Sequence, residues 1–522
     1  CAKLRDKEMG SEIHEYTVQT RLSGNLFIGT AIIDMYAKCG ATEQAREVFN
    51  SLPVRNVVSW NALIGGYSQH DQGKFALDCY VEMRTQAIPP DGITFSCTLK
   101  ACASIKDVEK GREIHADVLK IGVFETNQFV GNALVDMYSK CGLAEEAREV
   151  FDKLPSRDIV SWNALIVGYV ECGYAEEALE CYDRVQFEAI TPDVVTFACC
   201  LKACGIIGDA ERGRSIHTQI QRIGPVKNNL MVGTALVDMY VKCHMLGQAR
   251  KVFNKLHVRD VVLWSALIAG YSQNDRGEEA LKCFDQMKLE GITPNGVTLA
   301  SSLKACGSIG ASQKGKEIHD HIEQRGWFKS DQIVGNALID MYVKCGLLAK
   351  AQEVFDHLPT RNVVSWTSLI TGYAQLGNFG EALYTFNKMR EDDVLPNSIT
   401  FISLLNACSH EGHLDKGQTY FEFMSGVYGI VPELKHHTIM VDLFSRSGQL
   451  DRAVATMRVT TSHPNMETCL ALLGACRKWK NVDLARDAFE LAMQLDDKKT
   501  VAYVCMSNIY MEANNSSNTR FV

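Results

Sequence analysis

The chain has 522 residues, 46% of them hydrophobic, and a formal net charge of −8. The negative charge argues mildly against nucleic acid as a partner, because phosphate binding depends on Lys and Arg. No run of about 18 apolar residues occurs, so a membrane span is not expected. The 19 cysteines never stand in Cys-x-x-Cys spacing, which argues against zinc. We expect buried free thiols in a reducing compartment, with no metal and no cofactor.

The sequence repeats itself with a period of 102 residues. The clearest markers of this period are four tryptophans and four cysteines: Trp60, Trp162, Trp264 and Trp366, and Cys39, Cys141, Cys243 and Cys345. A strict period over four copies is typical of a repeat array and not of a single closed core.

Each period divides into units of 31, 35 and 36 residues, and each unit is predicted to form two helices. In residues 128–158, apolar residues at helical spacing predict a first helix that ends at Cys141-Gly142. A second helix is predicted over 144–154, where a proline follows and stops it. No unit of this size could bury its apolar faces alone. We therefore predict an all-α fold, an α-solenoid of stacked helix-turn-helix repeats with a concave binding face.

The units can be laid end to end along the chain. Residues 1–25 are predicted to be the tail of an incomplete long repeat, 434–465 the last short repeat, and 466–522 a truncated extension. The repeats between them are 26–56, 57–91, 92–127, 128–158, 159–193, 194–229, 230–260, 261–295, 296–331, 332–362, 363–397 and 398–433. Because the chain begins with Cys, we expect an N-terminal segment, with any targeting peptide, to be missing.

Three motifs in these units point to a family. Val-Val-Ser-Trp-Asn-Ala-Leu-Ile, Asp-Met-Tyr-Xaa-Lys-Cys-Gly and Leu-Lys-Ala-Cys, in units of these lengths, closely resemble pentatricopeptide repeat (PPR) proteins of the plant class that alternates P (35), L (36) and S (31) motifs. Residues 436–443, 472–477 and 503–510 resemble the last S motif and an E-type extension. The resemblance covers nearly the whole chain. It implies a right-handed superhelix, a location in the mitochondrion or chloroplast, and single-stranded organellar RNA as the partner.

The resemblance also implies which residues contact the RNA bases. In this family, the fifth and last residues of each P or S unit read one base, by polar contacts to its Watson–Crick edge. These reading pairs are Thr30/Asn56, Asn61/Asp91, Asn132/Asp158, Asn163/Asp193, Thr234/Asp260, Ser265/Asn295, Asn336/Asn362, Thr367/Asn397 and Thr438/Asn465. By resemblance, Thr or Ser with Asn implies adenine, Thr with Asp guanine, Asn with Asp uracil, and Asn with Asn a pyrimidine. The implied target is 5′-A-U-n-U-U-n-G-A-n-Y-A-n-A-3′, where n faces an L unit.

The L units depart from this code at the fifth position, which leaves their bases open. They carry Ser96, Ala198, Ala300 and Ile402 there. An alternative also exists for the last residues of the pairs, since Asp or Asn before a helix is an ordinary N-cap. Capping does not explain the fifth residue, which varies only among hydrogen-bonding types within an apolar frame and therefore favours base contact.

The second residue of each P or S unit is expected to sandwich the base by apolar contact, with packing between units as the alternative. These residues are Phe27, Val58, Phe129, Val160, Met231, Val262, Ile333 and Val364. Basic residues recur at the same period and could track phosphates or complement helix ends. They are Arg55, Arg157, Arg259 and Arg361, and Lys38, Lys140, Lys242 and Lys344.

Catalysis is not expected from this chain. His321 and Glu323 have the His-x-Glu spacing of a zinc-dependent deaminase, but no Pro-Cys-x-x-Cys follows. E-type tails usually accompany factors that specify cytidine-to-uridine editing. The resemblance therefore implies an adaptor that works with a DYW-type deaminase or with other editing factors. The deaminase would be either lost from this chain by truncation or supplied in trans. Alternatives are an RNA stabilisation, splicing or processing factor, and a protein-binding scaffold like tetratricopeptide repeats, which keep a uniform unit of about 34 residues.

Overall fold

The computed structural model describes residues 1–2, 5–20, 22, 24–326, 331–459, 466–496 and 500–518. All regular secondary structure in these ranges is helical. The chain divides into two compact units, Cys1–Leu267 and Ile268–Val522, with the boundary inside helix α18.

In the first unit, the first helices of successive repeats pack on one another, and each second helix packs beside its own first helix. The first-helix layer runs α2, α4, α6, α9, α11, α13 and α16. The helices are α1 (Lys7–Gln19), α2 (Leu26–Lys38), α3 (Thr42–Ser51), α4 (Val57–Gln69), α5 (Gly73–Thr85), α6 (Gly92–Ile105), α7 (Val108–Ile121), α8 (Val123–Thr126), α9 (Gln128–Lys140), α10 (Ala144–Asp152), α11 (Ile159–Cys172), α12 (Ala175–Phe187), α13 (Val194–Ile207), α14 (Ala210–Arg222), α15 (Gly224–Lys227), α16 (Leu230–Lys242), α17 (Leu246–Lys255) and α18 (Val261–Gln273).

The second unit has the same organisation, with α20, α22, α24, α26, α28, α30 and α32 in the first-helix layer. Its helices are α19 (Gly277–Leu289), α20 (Gly296–Ile309), α21 (Ser312–Gln324), α22 (Gln332–Lys344), α23 (Leu348–His357), α24 (Val363–Gln375), α25 (Phe379–Glu391), α26 (Ser398–Glu411), α27 (Leu414–Gly426), α28 (Leu434–Arg446), α29 (Leu450–Val459), α30 (Met466–Trp479), α31 (Val482–Leu495) and α32 (Thr500–Asn518). The predicted all-α solenoid of stacked helix pairs is confirmed in each unit. The handedness of the superhelix stays a prediction.

The periodic tryptophans form the core between repeats. Each one is between 0% and 4% exposed and meets a phenylalanine of the preceding S repeat, with ring centroids 4.4 to 4.6 Å apart. The pairs are Phe49–Trp60, Phe151–Trp162, Phe253–Trp264 and Phe355–Trp366. Aromatic pairs in such edge-on or tilted geometry stabilise a core beyond their buried area. Each P repeat is therefore anchored to the S repeat before it.

Two details of the predicted helix pattern differ from the structure. The second helix of repeat 128–158 ends at Asp152, two residues before the predicted end. Two L repeats contain a third short helix, α8 or α15, which accommodates their extra length. Before α8, Gly122 adopts a left-handed conformation with φ of 76°, which glycine tolerates because it has no Cβ.

The cysteines are free thiols, as expected, although some are only half-buried. The periodic set at Cys39, Cys141, Cys243 and Cys345 is half-buried, whereas Cys102, Cys204, Cys306 and Cys408 are buried. Burial raises the pKa of the Cys102 thiol to about 12. Such a thiol stays protonated at neutral pH and is a poor nucleophile, so its role is packing.

Candidate nucleic-acid interface

The last residue of each described reading pair is the N-cap of the following repeat. Its side chain accepts a hydrogen bond from a backbone N–H in the first turn of the next helix: Asn56, Asp91, Asp158, Asp193, Asp260, Asn295, Asn362 and Asn397. Asn465 lies outside the described residues. The capping interpretation is thus confirmed for these residues, and base contact by the same side chains stays a prediction.

In some reading pairs the two side chains are joined directly by a hydrogen bond. Asn61 Nδ2 donates to Asp91 Oδ1 at 2.9 Å, and Asn163 Nδ2 donates to Asp193 Oδ1 at 3.0 Å. A longer bond of 3.4 Å links Asn336 Nδ2 to Asn362 Oδ1. These contacts place the fifth residue of one repeat against the cap of the next.

At the same helical position, hydroxyl-bearing fifth residues also form hydrogen bonds within their own helices. The hydroxyls of Thr234, Ser265 and Thr438 donate to the carbonyl four residues earlier in their own helices. Thr30 is half-buried on α2, and Asn132 is buried on α9. Hydrogen bonds therefore hold fifth residues in several different ways from repeat to repeat.

A threonine at the third position of the L repeats adds a contact that the sequence analysis missed. Thr94 Oγ1 donates to Asn61 Oδ1 at 2.6 Å, and Thr196 Oγ1 donates to Asn163 Oδ1 at 2.7 Å. Thr400 Oγ1 lies 2.8 Å from Thr367 Oγ1. The signal was in the sequence, since Thr94, Thr196, Thr298 and Thr400 keep the 102-residue period.

These hydrogen bonds also affect the ionisation of the capping carboxylate. Burial acts to raise the pKa of Asp91, but hydrogen bonds from the Thr94 backbone and from the Asn61 amide outweigh it, so the pKa lies below its usual value. The site therefore presents a charged carboxylate beside a neutral amide at neutral pH.

The predicted sandwiching residues are exposed apolar side chains. All eight second-position residues, from Phe27 to Val364, are between 47% and 84% exposed. Packing between repeats, the alternative interpretation, does not account for such exposure. The L repeats carry the same feature, which the sequence analysis did not include: Ile93, Val195, Val297 and Ile399 are 36% to 61% exposed. Apolar side chains therefore stand at this position in P, L and S repeats alike.

One cavity in the second unit is lined by residues predicted to read a base, to sandwich it and to contact a phosphate. It has a volume of about 270 Å³ and is lined by Thr367 and Asn397, the reading pair, together with Val364 and Ile399 from the second positions of successive repeats. Lys344 also lines it. Val343 and Asp340, the ion-pair partner of Lys344, line it as well, so the cavity combines hydrogen-bonding groups, apolar side chains and an ion pair.

The periodic arginines have a structural role. Three of them each donate to two backbone carbonyls at the end of the second helix of their own S repeat, at 2.8 to 3.4 Å: Arg55, Arg157 and Arg361. Their guanidinium groups, and that of Arg259, lie over the phenylalanine that packs on tryptophan. These contacts favour the helix-end interpretation over phosphate tracking.

The periodic lysines form a different kind of contact. Lys38, Lys140, Lys242 and Lys344 form ion pairs of 2.6 to 2.9 Å with an aspartate four residues earlier and keep 40% to 46% of the side chain exposed. Exposed ion pairs of this kind contribute little to stability. Phosphate contact by these lysines stays a prediction.

Neither a membrane-spanning helix nor a metal-binding cluster is found among the described residues. No helix there is both long and apolar enough to cross a bilayer. No group of three or more His, Cys, Asp or Glu side chains there is arranged to hold a metal ion. His321 lies on α21, the second helix of an L repeat, as the ordinary-helix interpretation of the His-x-Glu motif predicts.

Family models match much of the chain. Residues 55–104, 157–205, 259–308 and 361–410 match the PPR repeat family, and residues 30–57, 132–159, 336–363 and 399–426 match the PPR repeat. The structure also resembles the crystal structure of the pentatricopeptide repeat protein PPR10 from maize, with a TM-score of 0.57, 18% identity and coverage of 94% of this chain and 82% of that one. PPR10 in complex with an 18-nt psaJ RNA element gives a TM-score of 0.61 at 16% identity, over 95% and 83% of the two chains.

Curated relatives from Arabidopsis thaliana are similar along nearly the whole chain. A mitochondrial pentatricopeptide repeat-containing protein is 35% identical over 506 residues, which is 96% of this chain and 90% of the relative. A chloroplastic one is 35% identical over 513 residues, but the chain spans only 63% of its length. With these relatives, the repeated matches to the family models and the stacked helix pairs in agreement, the chain belongs to the pentatricopeptide repeat family.

Proposed function

We propose that the protein binds single-stranded RNA in a sequence-specific way, one base for each P or S repeat. The observation that carries the proposal is the row of exposed apolar side chains at the second positions, in the same helices as the buried or half-buried polar fifth residues. A row of exposed apolar side chains that recurs at the same position of each repeat marks a surface that a partner can cover. Bases suit this arrangement, because their faces are apolar and their edges carry hydrogen-bonding groups.

The known complex of a structural neighbour supports the same partner. PPR10 binds an 18-nt RNA element, and it shares the fold of this chain. The relatives are named as mitochondrial or chloroplastic proteins, and we assign this chain to one of those organelles. The polar types in the reading pairs lead to the target 5′-A-U-n-U-U-n-G-A-n-Y-A-n-A-3′.

We further propose that the bound RNA is positioned for cytidine-to-uridine editing by a deaminase supplied in trans, with the chain itself acting as a non-catalytic adaptor. The support is the resemblance of residues 436–443, 472–477 and 503–510 to the last S motif and the E-type extension. In the structure these segments lie on α28, α30 and α32, so the stacked helices continue through the proposed extension.

Selection from a randomised single-stranded RNA pool tests the binding proposal. The purified protein is mixed with the pool at a stated salt concentration, because phosphate contacts make affinity salt-dependent. Sequencing of the retained RNA should show enrichment of the predicted target. Retention without any preferred sequence would contradict base reading, and no retention would contradict RNA as the partner.

The editing proposal needs a separate experiment. The selected RNA, extended at its 3′ side with cytidines, is incubated with a DYW-type deaminase with and without this protein. Conversion of one cytidine only when the protein is present supports an adaptor. Equal conversion in both samples would contradict it.

A further inference from the structure

Two consecutive reading pairs have identical residues but different surroundings. Asn132/Asp158 joins an S repeat to a P repeat, and Asn163/Asp193 joins that P repeat to the following L repeat. Both asparagines are 8% exposed. Any difference between the two pairs in base preference must therefore come from their neighbours and not from the reading residues themselves.

The amide of Asn163 is held at both ends. Its Nδ2 lies 3.0 Å from Asp193 Oδ1 and 3.1 Å from Oδ2, and its Oδ1 accepts a 2.7 Å hydrogen bond from Thr196 Oγ1. Thr196 is fully buried, and its Oγ1 also lies 3.0 Å from Asp193 Oδ1, the alternative acceptor for its single hydroxyl proton. If the amide were flipped, its oxygen would face the carboxylate and its nitrogen would face the hydroxyl. The amide oxygen and the Asp193 carboxylate are both acceptors and would repel each other, so the observed orientation is strongly preferred.

The amide of Asn132 lacks this restraint. Its Oδ1 is buried and has no hydrogen-bond partner in the part of the chain that the structure describes. The corresponding third residue of the next repeat is Ser161, whose hydroxyl donates to Asp158 Oδ1 at 2.9 Å. Ser161 thus completes the cap of its helix but does not hold the asparagine.

The two environments have different consequences for a pyrimidine base. Because the oxygen of Asn163 is turned toward the buried hydroxyl of Thr196, the group that its amide presents to a base is N–H. Uracil presents a carbonyl acceptor where cytosine presents an amino donor, so a fixed N–H matches uracil and opposes cytosine. Asn132 can turn its unoccupied oxygen toward the amino group of cytosine and accept from it.

We propose that Thr196 is a positioning residue that makes Asn163/Asp193 more selective for uracil over cytosine than the chemically identical pair Asn132/Asp158. The proposal rests on the proposed function, RNA binding by these pairs. Thr94 holds Asn61 in the same way, so the first P repeat shares the effect. The L repeats, whose own fifth residues depart from the code, thereby contribute to specificity through the threonine that contacts the preceding P repeat.

Binding of the full chain to three RNAs tests this. The reference is 5′-AUAUUAGAAUAAA-3′, and the two others carry cytosine at the fourth base, which faces Asn132, or at the fifth, which faces Asn163. The wild-type protein should lose more affinity from cytosine at the fifth base than at the fourth. The fourth-base and fifth-base penalties are the factors by which cytosine at that base weakens binding relative to the reference RNA. In Thr196→Val the fifth-base penalty should fall by about two- to tenfold, which corresponds to one hydrogen bond, and the fourth-base penalty should not change.

Two further variants separate positioning from stability. Thr196→Ser keeps the hydroxyl and should retain the fifth-base penalty. Ser161→Ala removes a capping hydroxyl that does not contact Asn132, and should leave the fourth-base penalty unchanged even if the thermal midpoint falls. An unchanged fifth-base penalty in Thr196→Val, or equal penalties at both bases in the wild type, would overturn the positioning role. Wild-type protein that binds all three RNAs equally, or none, would overturn the proposed function and the positioning role together.

Discussion

The first helix of a P repeat carries both buried and exposed apolar residues. On α11, Trp162 is 1% exposed and packs against Phe151, whereas Val160, two residues earlier, is 55% exposed. Both positions keep the 102-residue period, so the sequence pattern marks them equally. The position of Trp162 therefore holds adjacent repeats together, whereas the position of Val160 remains available for a ligand. Stability and RNA affinity should therefore respond to different substitutions.

The largest effect is expected on the buried face. Trp162→Ala should lower the free energy of unfolding by about 3–5 kcal/mol, because it leaves a cavity beside Phe151. Denaturant unfolding followed by circular dichroism measures this. Phe187→Ala is the control, since Phe187 is 92% exposed and its loss should cost less than about 0.5 kcal/mol. Similar losses in both variants would contradict the assignment of Trp162 to the core.

The exposed face should show the reverse behaviour. Phe129→Ala should weaken binding of the target RNA by about 5- to 150-fold, the range for loss of one aromatic–base stack, with little change in unfolding. Fluorescence anisotropy with labelled RNA measures the affinity. Phe187→Ala again serves as the control, because it removes an exposed phenylalanine that is not at a second position. Equal affinity of the Phe129→Ala and wild-type proteins would contradict base sandwiching.

A substitution at Asn163 should change which base the protein prefers, without loss of the fold. Asn163→Thr is expected to move the preference at the fifth base of the target from uracil to guanine. Good base contacts discriminate by about 1–3 kcal/mol, or about 5- to 150-fold in affinity. Binding to four RNAs that differ only at that base measures the change. Unaltered preference for uracil would contradict the role given to Asn163.

The smallest effect concerns the periodic charges. Arg157→Ala should lower the free energy of unfolding by about 1 kcal/mol, because it removes hydrogen bonds to the carbonyls of Phe151 and Asp152. The slope of log affinity against log salt concentration should not change. A phosphate contact would instead reduce that slope by about one. Titrations at several salt concentrations distinguish the two roles.

Much of the fold could be predicted because repeat length and helix signals are local. Each predicted repeat start from 26 to 466 coincides with the first residue of a helix. The prediction of helix starts works at most of these points because an Asp or Asn cap followed by an apolar run is a strong start signal; before α28 the cap is Glu433. It was less accurate where signals were weaker, as at the end of α10 and in the short helices α8 and α15.

The candidate site was only partly predictable. The family pattern located Asn163 and Asp193, but nothing in their spacing showed that Thr196 would hold the Asn163 amide across 33 residues of chain. The same limit applied to Arg157, whose period was equally consistent with a phosphate contact and a helix cap. Contacts of this kind depend on how one helix is rotated against the next, and periodicity does not report that rotation.

The period, the helical fold class and the polar residue types at the fifth and last positions could be predicted from the sequence alone, because they follow from local propensity and from motifs. Tertiary structure decided which periodic apolar residues are buried and which are exposed. It also decided that the capping carboxylate, the amide and a threonine of the next repeat form one network. The physical reason is that burial and long-range hydrogen bonds arise only when successive helices stack, since each repeat alone lacks the neighbour that completes them.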